Sequence, residues 1–390
     1  MSDHPLRLRL VNIMRRALLG VVRATRGIDP DKVVFSCFAG RAYGDNPRAI
    51  SERLHARCPG AKIVWVFKKS CLPDFQGESP EYVKPVDYRS LEAVREFATA
   101  RVWVDNFTKS YYLKRARGRQ YYVQTWHGDR AIKRIGYDEK KTGERRVEEQ
   151  CSRITTASTF GEGMYRTAFA YNGAYIRAGS PRNDLLVSND PARREAIRRA
   201  LEISPDTRLL LYAPTYRRED ELIPKSVQMD LARTLDCLES VTGAPWKCLY
   251  RAHYLSSGIE LEAVQDRIVD VTRYPDMTEL LLASDMVLTD YSSCALDFII
   301  MDRPALFYIP DWDDYVATRG VYFDVRQSPL MTAENQAQLE ALIQGLTPES
   351  VRQNCADIRE YFGYYETGCA TDAVCDYIVE RLGNLERLPD

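Results

Sequence analysis

The chain has 390 residues, 45% hydrophobic and 28% charged, a composition that excludes disordered, collagen-like and disulfide-stapled polypeptides and a length that suits two domains of roughly 150–200 residues. Its formal charge of −1 comes from 54 Lys+Arg against 55 Asp+Glu. Residues 1–200 carry 38 basic and 22 acidic side chains, a net of +16, which leaves 16 and 33, a net of −17, for the rest, so the basic half is suited to lipid headgroups, a polyphosphate or nucleic acid.

Residues 5–26 place Leu10, Val11, Met14, Leu18, Val21 and Val22 at helical spacing among six arginines and no acid. Two readings stand: an amphipathic helix on an anionic membrane surface, or a surface helix packing its apolar stripe on the first domain. No run of eighteen apolar residues suggests a spanning helix. Arg15, Arg16 and Arg23 interrupt the apolar residues and no small-residue cleavage site follows, which argues against a signal peptide.

From residue 32 strands alternate with helices. Strands are expected at Lys32–Phe38, Lys62–Phe67, Arg101–Asp105, Tyr121–Thr125, Ile154–Ala157 and Ala174–Ala178, with helices at Pro47–Arg57 and Leu91–Ala98. A charged helix over 191–202 opens a second series. Strands are expected at Arg208–Ala213, Trp246–Arg251, Ile268–Asp270, Met286–Thr289 and Ala305–Ile309, with helices at Val227–Ser240, Met277–Ala283 and Ser293–Ile300 and a helical region over 335–346, 348–362 and 370–382. This alternation predicts an α/β protein of two parallel-sheet domains facing across a cleft. The expected division is a basic helix over 1–30, a domain over 31–190 and a second over 191–390. The ten cysteines have no metal-ligand spacing and read as buried free thiols.

Of the four histidines, His4 lies in the tail and His55 on an exposed-looking helix. His127 and His253 each follow a buried strand, one per domain. In Gln124-Thr125-Trp126-His127-Gly128-Asp129 the imidazole could act as a general base oriented by Asp129, with Lys133 and Arg134 following in a helix to hold an anionic substrate; the alternative is a structural turn with a capping Asp. Arg251 and His253, two apart on an extended segment, form a cationic pair suited to a diphosphate, or ion pairs with nearby acids. Thr289-Asp290-Tyr291-Ser292-Ser293 lies between a strand and a helix, where Ser292 and Ser293 bind phosphate or cap the helix. There is no Walker loop and no GxGxxG.

These segments occur together with Val33-Val34-Phe35-Ser36, Asp45-Asn46-Pro47, Gly179-Ser180-Pro181-Arg182-Asn183-Asp184, Leu211–Arg217, Asp297-Phe298, Pro304 and Arg319-Gly320. In this order, from about 32 to 375, the chain resembles the CDP-glycerol glycerophosphotransferase family of teichoic-acid and capsule primases and polymerases. The resemblance implies a GT-B-like fold of two Rossmann-like domains, with the donor held by the second. It implies transfer of an alditol phosphate from a CDP-alditol to a hydroxyl of a membrane-bound acceptor, with release of CMP. It implies that His127 is the base, that Arg251 and His253 contact the donor diphosphate, and that Thr289, Ser292 and Ser293 form the phosphate-binding turn. Tyr274, Asp276, Thr278, Glu279 and Asp290 are then near the nucleotide, and Asp129, Lys133, Arg134, Arg182 and Asn183 on the acceptor side. The family often has Thr where Asp129 stands and Pro where Tyr254 stands.

No cofactor is required by these motifs, and Mg²⁺ at an acid such as Asp290 is an option. The expected partners are CDP-glycerol or another CDP-alditol, a lipid-linked or polymeric acceptor, and an anionic membrane surface, with peripheral placement on the inner face of the cell membrane. A sugar-nucleotide glycosyltransferase is the alternative. A nucleic-acid partner is not expected, since only the 111–119 loop combines aromatic and basic residues. The chain reads as a minimal version of the family, without a tandem second transferase.

Overall fold

The computed structural model of the protein describes residues 4–72, 80–107, 114–139, 151–215, 229–251 and 266–383. Seven strands, β1 (Asp29–Ser36), β2 (Lys62–Phe67), β3 (Val83–Asp87), β4 (Ala100–Asp105), β5 (Tyr121–Gln124), β6 (Arg153–Thr156) and β7 (Tyr175–Arg177), form a parallel sheet in the order β3-β2-β1-β4-β5-β6-β7. Six more, β8 (Arg208–Tyr212), β9 (Trp246–Tyr250), β10 (Ile268–Asp270), β11 (Met286–Thr289), β12 (Ala305–Tyr308) and β13 (Met331–Ala333), form a second in the order β10-β9-β8-β11-β12-β13, also parallel. These are the two Rossmann-like sheets of the expected GT-B-like arrangement.

The unbroken apolar runs of the central strands follow from having both faces covered. In β1, Val33 and Phe35 pack under the helices Asp45–Arg57 and Ala370–Val379, and Val34 packs under His4–Arg26 and Leu91–Thr99. The first helix divides its apolar stripe. Leu18, Leu19 and Val22 join the core, whereas Ile13, Met14 and Val21 point outward, 64%, 70% and 59% exposed.

The domain division expected at 190/191 needs correction at both ends. Leu186 already belongs to the second core. The C-terminal helix Ala370–Val379 returns to the first, where Val374, Cys375 and Ile378 pack with Ile50 and Leu54. Arg53 and Arg57 fasten it through Asp372 and Asp376. The chain therefore crosses between domains twice, near 179–183 and near 364–370.

The sequence reading also missed β3, β13 and the helices Thr159–Ala168 and Trp312–Arg319. Pro85 in β3 is tolerated because that strand lies at a sheet edge. In Thr159–Ala168 two glycines mask the helical pattern. A Cβ on Gly161 would collide with the Asp129 carboxylate. His55 is not solvated as expected: its ring stacks on Tyr82 with centroids 3.8 Å apart. All ten cysteines are free thiols, six of them buried.

Candidate active site

Both sheets turn the C-terminal ends of their strands toward one cleft of about 460 Å³. The strand order reverses between β1 and β4 in one sheet and between β8 and β11 in the other, the places where open α/β sheets leave a crevice. Trp126, His127, Ile132 and Lys133 line it from the first domain, and Arg251, Met277, Tyr291, Ser292, Ser293, Tyr315 and Arg319 from the second. The lining holds three cations besides His127 and, among the described residues, no carboxylate. Such a cleft selects an anion.

His127 sits just beyond the end of β5. Its Nδ1 lies 2.7 Å from the Asn106 carbonyl oxygen. A carbonyl can only accept, so Nδ1 carries the proton and Nε2 the lone pair. The ring lies among Phe38, Phe107 and Trp126. Burial there pushes its pKa below the ordinary histidine value, against the Asn106 bond and the Asp45 charge, which raise it. Burial thus favours the neutral imidazole, the form able to accept a proton.

On the opposite wall the Arg251 side chain is largely desolvated, which pushes its pKa down. Its Nη1 is buried, and no hydrogen-bond partner for it exists among the described residues. Ser292 and Ser293 follow β11. A Cβ on Gly128 would come within 3.1 Å of Ser293 Oγ, so the bare glycine lets the histidine loop approach the serine turn. Lys133 and Arg319 complete the cationic lining, and burial, with the Arg319 charge beside it, pushes the Lys133 pKa down.

Other expected site residues are placed differently. Asp129 does not orient His127; it is buried and accepts from Thr156 Oγ1 at 3.1 Å and from Ser158 Oγ. Residues 131–135 are not a helix: Lys133 bridges Val321 in antiparallel fashion, and Arg134 Nε donates to the Val321 carbonyl at 3.0 Å, away from the cleft. Thr289 is fully buried and donates to the Ala213 carbonyl at 2.6 Å, so its hydroxyl is turned away from a phosphate. Tyr274 donates to Glu279, which also pairs with Arg193. Thr278 is buried, and its backbone N–H donates to Asp276, the cap of the helix Met277–Ala283. Asp276 also pairs with Arg48 of the first domain. Asp290 accepts from the Thr215 backbone and hydroxyl and from Tyr291 N–H. With its oxygens so engaged, it does not fit a cation ligand facing the cleft. His253 lies outside the described residues, as do Arg217 and Tyr254.

Arg182 and Asn183, expected beside the acceptor, are instead packed between the domains, Asn183 fully buried. Arg182 pairs with Asp45 at 3.1 Å and Asp297 at 2.8 Å. Asn183 donates to Asp297 and Glu366. Arg130, 1% exposed, pairs with Asp297 at 2.6 Å and Glu366 at 3.1 Å and lies over the Tyr364 ring. Burial would raise the Asp297 pKa, but the two guanidinium groups outweigh it and hold the carboxyl below its ordinary value. Burial prevails at Glu366, pushed up to about 7. Sequence reasoning passed over Arg130 and Glu366, which carry no local pattern. It also passed over Asn106, whose part is played by a backbone carbonyl.

Residues 19–380 match the family model described as CDP-Glycerol:Poly(glycerophosphate) glycerophosphotransferase. The Staphylococcus epidermidis teichoic acid poly(glycerol phosphate) polymerase is 32% identical over 327 residues, 79% of this chain and 44% of that protein, so the chain spans less than half the length of that relative. The Staphylococcus aureus teichoic acid glycerol-phosphate transferase is 28% identical over 365 residues, 89% of this chain and 92% of that protein. A structure of the wall teichoic acid polymerase TagF, a variant soaked with CDPG, superposes with a TM-score of 0.80 at 26% identity and covers 98% of each chain.

Proposed function

Since the chain belongs to the CDP-Glycerol:Poly(glycerophosphate) glycerophosphotransferase family, we propose that it transfers an alditol phosphate, glycerol phosphate foremost, from a CDP-activated donor to a hydroxyl of a membrane-associated acceptor, releasing CMP in teichoic-acid or capsule-type polymer synthesis. The observation that carries this reading is the cleft itself. A neutral histidine with its lone pair on Nε2 stands on one wall, and a desolvated Arg251 without a described partner stands beside two serines on the other.

In this reading the donor diphosphate lies against Arg251, Ser292 and Ser293. The acceptor hydroxyl gives its proton to His127 Nε2 as its oxygen bonds to the β-phosphorus. The bond from that phosphorus to the bridging oxygen breaks, and CMP leaves with the electron pair. Arg251 and, by family resemblance, His253 stabilise the charge on the departing phosphate. The described residues offer no group of three His, Cys, Asp or Glu able to hold a metal ion; we propose that the cations of the cleft neutralise the phosphates.

In this reading the acceptor lies at the inner face of the cell membrane. No described helix is long and apolar enough to cross a bilayer. The first helix instead presents Ile13, Met14 and Val21 outward, and its Arg23 donates to the Lys114 carbonyl, joining the helix to the basic 114–119 loop. An apolar row beside arginines fits an anionic interface. Incubation with CDP-glycerol or CDP-ribitol and lipid-linked acceptors tests the reading: acceptor-dependent CMP release with one of them is expected, and its absence with both overturns it.

A further inference from the structure

One side chain joins the buried ion cluster to the reactive histidine. Asn46, 1% exposed, donates through Nδ2 to the Trp126 carbonyl at 3.0 Å and to the Thr125 carbonyl at 3.5 Å. Its Oδ1 accepts from the Arg182 backbone N–H at 3.0 Å. We propose that Asn46 is a positioning residue for His127, tying the two peptides that precede the imidazole to the ion cluster between the domains. The proposal rests on His127 acting as the base.

The local backbone makes such a tie necessary. Trp126 has φ 48°, in the left-handed region that bulky L side chains seldom adopt. Its own N–H is held by Gln124 Oε1 at 2.9 Å, and its carbonyl accepts from Asn46 Nδ2 at 3.0 Å and from Thr125 Oγ1 at 3.3 Å, the first of these being the one that reaches it from another element. Only a side chain with two donors and an acceptor can reach both carbonyls and the Arg182 N–H at once, and asparagine supplies them. If the Trp126 peptide rotated, His127 Nδ1 would lose its line to the Asn106 carbonyl, and with it the tautomer that leaves Nε2 open.

The cluster end of the tie is stiff. The Arg182 guanidinium is shared between Asp45, beside Asn46, and Asp297. Asp297 lies on the short helix Cys294–Phe298 that follows the serine turn. Arg130, three residues after His127, pairs with the same carboxylate. The two walls of the cleft are thus set against one another through Asp297, and Asn46 transmits that setting to the imidazole. Displacements of about 1 Å at a reacting group cost roughly a hundredfold in rate, so a side chain that touches neither substrate nor imidazole can still govern turnover.

Four histidines make the test direct in the full-length protein. Histidine-labelled NMR reads the tautomer and titration of His127, assigned by comparison with His127→Ala. The charges that act on the imidazole, Asp45, Arg182 and Lys133, are unchanged in the Asn46 variants. The wild type is expected to show the Nδ1–H form and a midpoint below the ordinary histidine value. In Asn46→Ala and in the near-isosteric, uncharged Asn46→Leu, which loses both donors and the acceptor, the Nδ1–H signal should give way to mixed tautomers and the midpoint should move toward the ordinary value. CMP release should fall roughly 10–100-fold with donor KM little changed. An unaltered tautomer and midpoint in either folded variant overturns the proposal, whatever the activity. A wild type inactive with CDP-alditols would overturn the functional reading while leaving the NMR comparison in force.

Discussion

Replacing His127 with alanine removes one lone pair from the cleft and little else. The imidazole is held from behind by the Asn106 carbonyl and flanked by Phe38, Phe107 and Trp126, so the cavity left behind is bounded by rigid neighbours. A positioned general base contributes about 10²–10⁴-fold, and each factor of ten is about 1.36 kcal/mol, so His127→Ala should raise the barrier by about 3–5 kcal/mol. Donor affinity should be nearly unchanged, because the donor is assigned to the wall that carries Arg251, Ser292 and Ser293. Burial lowers the His127 pKa, so in the wild type the base is lost only as pH falls through a value below that of ordinary histidine. That acidic limb should vanish in the variant. The assay is CMP release from CDP-glycerol across pH 5–8 with calorimetric binding of the donor alongside. Near-normal turnover, or an acidic limb that survives, would refute the assignment.

Arg251→Met should weaken donor binding by about 1.5–3 kcal/mol, the scale of a hydrogen bond to a charged group, without lowering thermal stability, because no described partner is orphaned; unchanged affinity would remove Arg251 from the phosphate site. Thr289→Val should cost about 1 kcal/mol of stability through the lost bond to the Ala213 carbonyl and leave donor affinity intact; a large affinity loss would return the hydroxyl to the phosphate. Met14→Asp with Val21→Asp should release the protein from anionic vesicles while CMP release on a soluble acceptor persists, and undiminished co-sedimentation would defeat the membrane assignment. Glu366, with a carboxyl pushed by burial from 4.5 up to about 7, keeps its proton in the fold after the unfolded chain has lost it. The fold then loses up to about 3 kcal/mol as pH rises through that window. Urea midpoints at pH 5 and pH 8 should show this decline in the wild type and not in Glu366→Gln, and parallel behaviour would show that the carboxyl titrates normally.

Much of the architecture was legible because it depends on local periodicity. The boundaries of Lys62–Phe67, Ile268–Asp270, Met277–Ala283 and Met286–Thr289 agree residue for residue with the sequence reading. His127, Arg251, Ser292 and Ser293 were legible as cleft residues because each follows a buried strand, and strand exits face the crevice. Directions of side chains were not legible. Thr289 and Ser292 belong to one hydroxyl-rich run, yet the first ends the strand with its hydroxyl inside the sheet layer and the second begins the turn. Asp129 stands two residues from a histidine in sequence but serves Ser158, 29 residues away, because Gly161 opens a place for its carboxylate. The return of Ala370–Val379 to the first domain was hidden as well, since an apolar stripe does not specify which sheet it will cover.

The opposed charges of the two halves raise a problem that the site residues resolve. The second half carries a net of −17 yet in the proposed reaction must hold a diphosphate. Its motif acids are each bound away from the cleft: Asp276 by Arg48, Glu279 by Arg193 and Tyr274, Asp290 by Thr215 and Tyr291, Asp297 by Arg130 and Arg182. Pairs of this kind add little net stability, since desolvation offsets most of the attraction. Their effect is to remove negative charge from the lining, which leaves Arg251, Arg319 and Lys133 facing the cavity. All four partner arginines, Arg48, Arg130, Arg182 and Arg193, come from the basic half, and the first three reach across from the first domain. The surplus of cations in residues 1–200 therefore acts in two places, as an arginine-rich outer helix and as counterions inserted between the domains. Neutralising an inserted arginine should lower donor affinity even where that arginine never meets the donor, because the carboxylate it releases would then repel the phosphates across the cleft.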